Sequence, residues 1–157
     1  MDNIVIKDRK KYYELYRMVD VFNSFYSLSG VGEKSIFYFD GKSYIAVTVN
    51  AVFSLEICFK FLYYLKHDSK HRHTHSLMKL YNSVKDDGLE EFLLTGFTHE
   101  EINYIMNEID YAFDHFRYLY EYKFTLKISR VFLRDFTFNI NSYCNEIFNN
   151  NVIKQFE

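Results

Sequence analysis

Glu56 and Lys60 stand one helical turn apart inside residues 50–65, where almost every other side chain is apolar. A carboxylate among apolar neighbours must be paired or neutralised, because burying it alone costs several kcal/mol. Arg117 and Glu121 form a second pair at the same spacing. The four residues predict a charge network holding two helices in register, or a small polar pocket able to take a nucleotide or a phosphate. Lysine tends to run its flexible stem out to water, whereas the planar fork of arginine grips a carboxylate with two hydrogen bonds. The sequence therefore predicts a Glu56–Arg117 contact, with Tyr hydroxyls supplying further donors.

Two other groups invite chemistry. His67, His71, His73 and His75 crowd one polar stretch. His71, His73 and His75 alternate, which suits an extended loop better than the four-residue interval of zinc helices, and only Asp68 could complete a site, so no metal is expected. The stretch reads as a solvated loop with His75 capping the next helix. Lys70, Arg72 and His73 in that loop, with Lys127, Arg130 and Arg134 further on, are the candidate nucleic-acid contacts. A formal net charge of -2 excludes a surface that is basic all over but leaves room for a local patch. G-x-S-x-G, P-loop and dinucleotide-glycine patterns are absent, so neither a catalytic residue nor a cofactor is assigned.

The elements that must position these residues are helical. The chain has 157 residues, no Pro, five Gly, and an aromatic share of 20%. Such a chain suits one domain of long uninterrupted helices packed through Phe and Tyr. Apolar residues recurring at threes and fours predict a first helix over residues 8–28, with Asp8 as N-cap and Gly30 as stop. Aromatic and β-branched residues around Asp40-Gly41 suggest a small hairpin near residues 36–45. The apolar central helix should start between Tyr44 and Thr48 and end near Lys66. It is long enough to span a membrane, but Asn50, Glu56 and Lys60 fall near its middle, and each charge there would cost roughly 3 kcal/mol. A soluble core helix is expected. The first residues, Met1-Asp2-Asn3-Ile4, lack the apolar run of a signal peptide, so a cytoplasmic location is expected.

Downstream, helices are predicted over residues 75–85 and, briefly, 89–94. Thr98 and Glu101 form a capping box opening a helix that runs to about Tyr122. A last helix covers residues 125–149. Cys58 and Cys144 fall in apolar helical stretches and read as reduced, buried thiols. The fold class is all-α, a bundle of four long helices plus short pieces.

Three blocks resemble the HEPN-like helical domains of prokaryotes. Asn50, Ala51, Phe53, Glu56 and Lys60 match an N-A-x-F-x-x-E-x-x-x-K helix. His75, Leu77, Leu80 and Tyr81 match an H-x-L-x-x-L-[FY] helix start. Arg117, Tyr118, Tyr120 and Glu121 match an R-Y-x-Y-E helix. The resemblance implies an all-α bundle, homodimers, and roles in toxin–antitoxin, CRISPR and phage-defence systems. Many members are RNases that use an Arg followed, after four to six residues, by a His. Arg9, Arg17, Arg72, Arg117, Arg130 and Arg134 all lack a His at that distance.

The expected function is therefore a non-enzymatic, HEPN-like interaction module in a bacterial or phage defence or toxin–antitoxin setting. It would form a symmetric homodimer and meet a protein partner encoded nearby. The alternatives are an RNase with a rearranged site, using Arg117 or Arg72 with His115 or His75, or a protein that binds RNA without cutting it.

Overall fold

The computed structural model describes residues 3–29, 41–67, 69–70, 74–116 and 130–156; of residues 41–45, 87, 111–116 and 130 it describes the backbone. Six α-helices fall in these segments. They are α1 (Arg9–Ser29), α2 (Gly41–Lys66), α3 (Leu77–Val84), α4 (Leu89–Leu93), α5 (His99–Phe116) and α6 (Arg130–Glu146). The all-α class expected from the sequence is what the chain adopts. Glu121 and Lys127 lie outside the described residues, as do Arg117, Arg72 and His73, and so does the expected stop at Gly30.

Local signals start the helices where the residue chemistry requires. Asp8 caps α1, its Oδ1 accepting the Lys10 amide at 2.8 Å. At α5 the capping box closes both ways. Thr98 N donates to Glu101 Oε2 at 2.8 Å, and Glu101 N donates to Thr98 Oγ1 at 3.2 Å. Gly88 takes the left-handed conformation, φ 93°, between the 3-10 turn Lys85–Asp87 and α4, a backbone state that glycine enters without steric cost.

Two expectations are corrected. Gly41 opens α2, so residues 41–45 are helical and cannot form the second arm of a hairpin; residues 36–40 lie outside the described segments. An isolated hairpin is marginal, whereas each residue added to an existing helix gains a hydrogen bond. The cap of α3 is Ser76 rather than His75; its Oγ accepts the Lys79 amide at 3.3 Å.

A feature with no sequence expectation ties the chain's two ends together. Strands β1 (Ile4–Ile6) and β2 (Val152–Lys154) pair in parallel, Val5 opposite Ile153, and Gln155 N continues the ladder to Ile6 O at 3.0 Å. A single π-helical turn, Ile147–Asn151, carries the chain from α6 into β2.

α2 is the centre. Ala51, Val52, Leu55, Cys58, Phe59, Phe61 and Leu62 are buried over about half of its circumference, while Phe53, Ile57, Lys60 and Tyr63 on the other side are partly buried. It packs on α1, α6, α3 and α5. By length and composition the segment Ala46–Lys66 could cross a membrane, and 61% of it is buried inside the protein. α1 is fastened along it. The Phe22 and Phe61 rings meet edge to face at 5.8 Å, and Ser54 Oγ donates to Phe22 O at 2.9 Å. On the other flank Asn23 of α1 and Asn145 of α6 exchange amide hydrogen bonds at 3.0 Å. Cys58 and Cys144 are free and buried, Cys144 Sγ lying 3.9 Å from Cys58 O. Burial pushes the Cys144 thiol well above its ordinary range.

Phe22 is fully buried at this seam, whereas Leu28, two turns on, is largely exposed. Phe22→Ala should cost about 3–5 kcal/mol, and Leu28→Ala should stay within about 0.5 kcal/mol. Urea denaturation of both variants checks this; equal midpoints would show that α1 does not dock as described.

Candidate functional site

The polar residues of α2 meet partners brought from elsewhere in the chain. Glu56 is 3% exposed. Lys60, one turn on, reaches its Oε1 from a partly exposed position. His75, on the approach to α3, lies with Nδ1 3.1 Å from the same oxygen, while half of its side chain faces solvent. Lys60 thus meets the carboxylate and a histidine joins it, while Arg117, the expected partner, lies outside the described residues. Among the described residues Glu56 Oε2 has no hydrogen-bond partner.

A second carboxylate binds the residues that follow His75. Asp110, on α5, accepts Ser76 Oγ through Oδ2 and the Met78 amide through Oδ1, both at 3.2 Å. A negative charge beside the first amides of α3 complements that helix's dipole. Asp110 follows Met106 by one turn, and Met106 is fully buried. An acid one turn beyond a core methionine is the signal that could have revealed it. Together, Glu56 and Asp110 clamp the residues that enter α3. A half-exposed imidazole oriented by a buried carboxylate can exchange protons with a bound molecule.

The histidine loop does not gather into one site. The ring of His67 stacks on Tyr63 at 4.2 Å, and His67 O accepts Lys11 Nζ at 3.1 Å. His75 turns to Glu56, and His71 and His73 lie outside the described residues. Among the described residues no three potential metal ligands converge.

Of the candidate nucleic-acid contacts, Arg130 is the first residue of α6, and Arg134 is bound to Asp135 at 2.8 Å. Lys70 is brought to α1, where Nζ sits 2.9 Å from Glu14 Oε1 and 5.7 Å from the centre of the Tyr64 ring. Tyr64 donates its hydroxyl to Glu14 Oε2 at 2.7 Å. That hydroxyl, then Lys70, holds the Glu14 carboxyl below the ordinary value of 4.5. Burial, then Glu14, pushes the Tyr64 phenol up to about 12. Beside this trio an open groove of about 350 Å³ is lined by Lys10, Tyr13, Glu14 and Arg17. Lys10, Tyr13 and Arg17 carry no sequence expectation, because periodicity marks the apolar stripe of a helix and is silent about what its other side meets.

Comparison of the chain with models of known families, with curated proteins and with solved structures gives no match.

Two outcomes follow from these contacts. Lys60 and His75 can turn to water, whereas Glu56 cannot. Lys60→Met should therefore cost more than Glu56→Met, by roughly 3 kcal/mol if the stranded charge stays buried. Thermal denaturation showing the opposite order would refute the buried pair. The Glu14–Tyr64 bond works on both sides of neutrality. Glu14, with its lowered pKa, contributes stability above the ordinary carboxyl range that is lost as pH falls through its folded value. Tyr64, with its raised pKa, contributes stability that is complete below the ordinary phenol value of 10.0 and lost as pH rises towards about 12. Tyr64→Phe should flatten both flanks of the stability–pH curve, and unchanged flanks would rule out the bond.

Proposed function

We propose that the chain is a non-enzymatic, HEPN-like interaction module that works by contact, in a bacterial or phage defence or toxin–antitoxin setting. The observation that carries this reading is the meeting of two of the family-like blocks at one carboxylate. Glu56 and Lys60 come from the first block and His75 from the second, and Lys60 and the His75 ring both meet the same carboxylate oxygen. Asp110, preceding the third block on α5, fixes the entry to α3 beside His75. Residues that make the blocks recognisable are thus spent on holding α2, α3 and α5 in register. A cluster used in this way supports a scaffold that presents its outer faces to a partner.

One observation favours a second reading. His75, half exposed and oriented through Nδ1 by Glu56, has the arrangement of a general acid or base. An RNase with a rearranged site, drawing on His75 or His115 with Arg72 or Arg117, would use it.

The two readings separate in one assay. End-labelled RNA incubated with the purified chain should be recovered intact. Cleavage that disappears on His75→Ala or Arg117→Ala would overturn the module reading in favour of the nuclease.

A further inference from the structure

The outer face of α1 has a composition that packing does not explain. On it and just before it, Lys7, Arg9, Lys10 and Arg17 set four basic side chains against Asp8 and Glu14, while Lys11 is spent on His67 O, in a chain whose formal charge is -2. Both acids are already engaged. Asp8 is the N-cap, and Glu14 is held by Lys70 and the Tyr64 hydroxyl. Asp20, one turn beyond Tyr16, closes the basic stretch. Among the described residues no ion pair ties down Lys10 or Arg17, so the groove they line presents net positive charge.

Aromatic rings stand along the same face. Tyr13 is 51% exposed and Tyr16 47% exposed, three residues apart on one helix. The guanidinium of Arg9 lies 5.8 Å from the centre of the Tyr13 ring. Tyr12 meets Tyr13 at 5.9 Å, and Phe148 meets Tyr16 at 6.3 Å, so the exposed rings are in contact with aromatic neighbours. Rings held this way lose little freedom when another flat group stacks on them.

We propose that this groove is a docking surface for single-stranded nucleic acid. Lys10 and Arg17 answer backbone phosphates, while Tyr13 and Tyr16 offer faces to unpaired bases. Charge and ring faces together fit a strand that carries a phosphate and a flat base on every unit, whereas an acidic peptide without aromatic residues answers only the charge. A duplex keeps its bases inside and cannot use the tyrosines. The chemistry involves phosphate and base, not sugar, so RNA and DNA strands bind alike. The surface lies on α1, apart from Glu56 and His75, and the inference holds whether or not the chain cuts RNA.

Fluorescence anisotropy with labelled oligouridine and oligothymidine of about 16 nucleotides, across a salt series, tests it. Both strands should bind with affinity that falls as salt rises, and a duplex of equal length should bind more weakly. Arg17→Gln should lower the log–log salt slope by about 0.7, the loss of one phosphate contact. Tyr13→Leu should weaken binding at least about fivefold with the slope unchanged, and Tyr13→Phe should retain it. Lys79→Gln, on exposed α3 surface, should change nothing. Circular dichroism establishes that each variant is folded, and the length of the recovered RNA shows separately whether it has been cut. Three results would overturn the proposal: no binding at low salt, equal affinity and slope in the Tyr13 and Arg17 variants, or a polyglutamate peptide bound as tightly as the strands.

Discussion

A helix with so few polar side chains has to be covered over most of its surface, and this constraint shapes the whole molecule. α2 buries residues over about half of its circumference, Ala51, Val52, Leu55, Phe59 and Leu62 among them. Each fully buried large apolar side chain is worth about 1.5–3 kcal/mol relative to exposure, so leaving any stripe open would be costly. One neighbour covers only one stripe. α1 takes one flank through Phe22, α6 another through Cys144 and its neighbours, and α3 and α5 cover the rest. Even the polar groups of α2 obey the constraint. Ser54 spends its hydroxyl on a carbonyl of α1, and Glu56 draws cations to itself.

That demand for cations also settles the path of the chain after α2. The connection is held at three described points. His67 O takes Lys11, Lys70 takes Glu14, and His75 takes Glu56. The first two bind it to α1, and the third binds it to α2 just before α3 begins. A segment that reads as a solvated polar loop is therefore positioned by electrostatics at both ends. The arrangement delivers Lys70 to the one carboxylate in the α1 groove. The groove's positive character thus depends on the same connection that satisfies Glu56.

The legible parts of the sequence were those decided within a few residues. Asp8, Ser76, Thr98 with Glu101, and Gly88 act on amides or dihedrals of their immediate neighbours, and Asp8 and the Thr98–Glu101 box were read from the sequence. Ser76 was missed because His75, the adjacent polar residue, looked equally able to cap. The apolar stripes of the helices were largely legible because a single face determines each, although Tyr16 and Val131, which share the stripes of α1 and α6 by spacing, are half exposed. What failed to show was long-range. β1 and β2 are three residues each, too short for an alternating pattern, and they pair across nearly the whole chain. His75 and Asp110 take partners 19 and 34 residues away, and spacing carries no information at that range. Glu56 shows the division clearly. Its need for a cation was plain from its apolar neighbours, but which cation answers depends on where the next segment passes.

The aromatic residues divide along the same line between what the fold requires and what it leaves over. Phe22, Phe59, Phe61 and Phe136 are completely buried and do the packing. Tyrosine is used where a ring must end in a hydrogen bond, as Tyr64 does at Glu14. Tyr13 and Tyr16 meet neither need, because half of each ring faces water. A solvated helix face is served as well by lysine and glutamate, which have higher helix propensity and do not expose apolar area. One exposed tyrosine on such a face is ordinary. Two rings, three residues apart, in contact with Tyr12 and Phe148 and flanked by Arg9, Lys10 and Arg17, form a charged aromatic face that the core does not need. α1 therefore serves two masters: its inner stripe answers to α2, and its outer stripe answers to something that the fold alone does not supply.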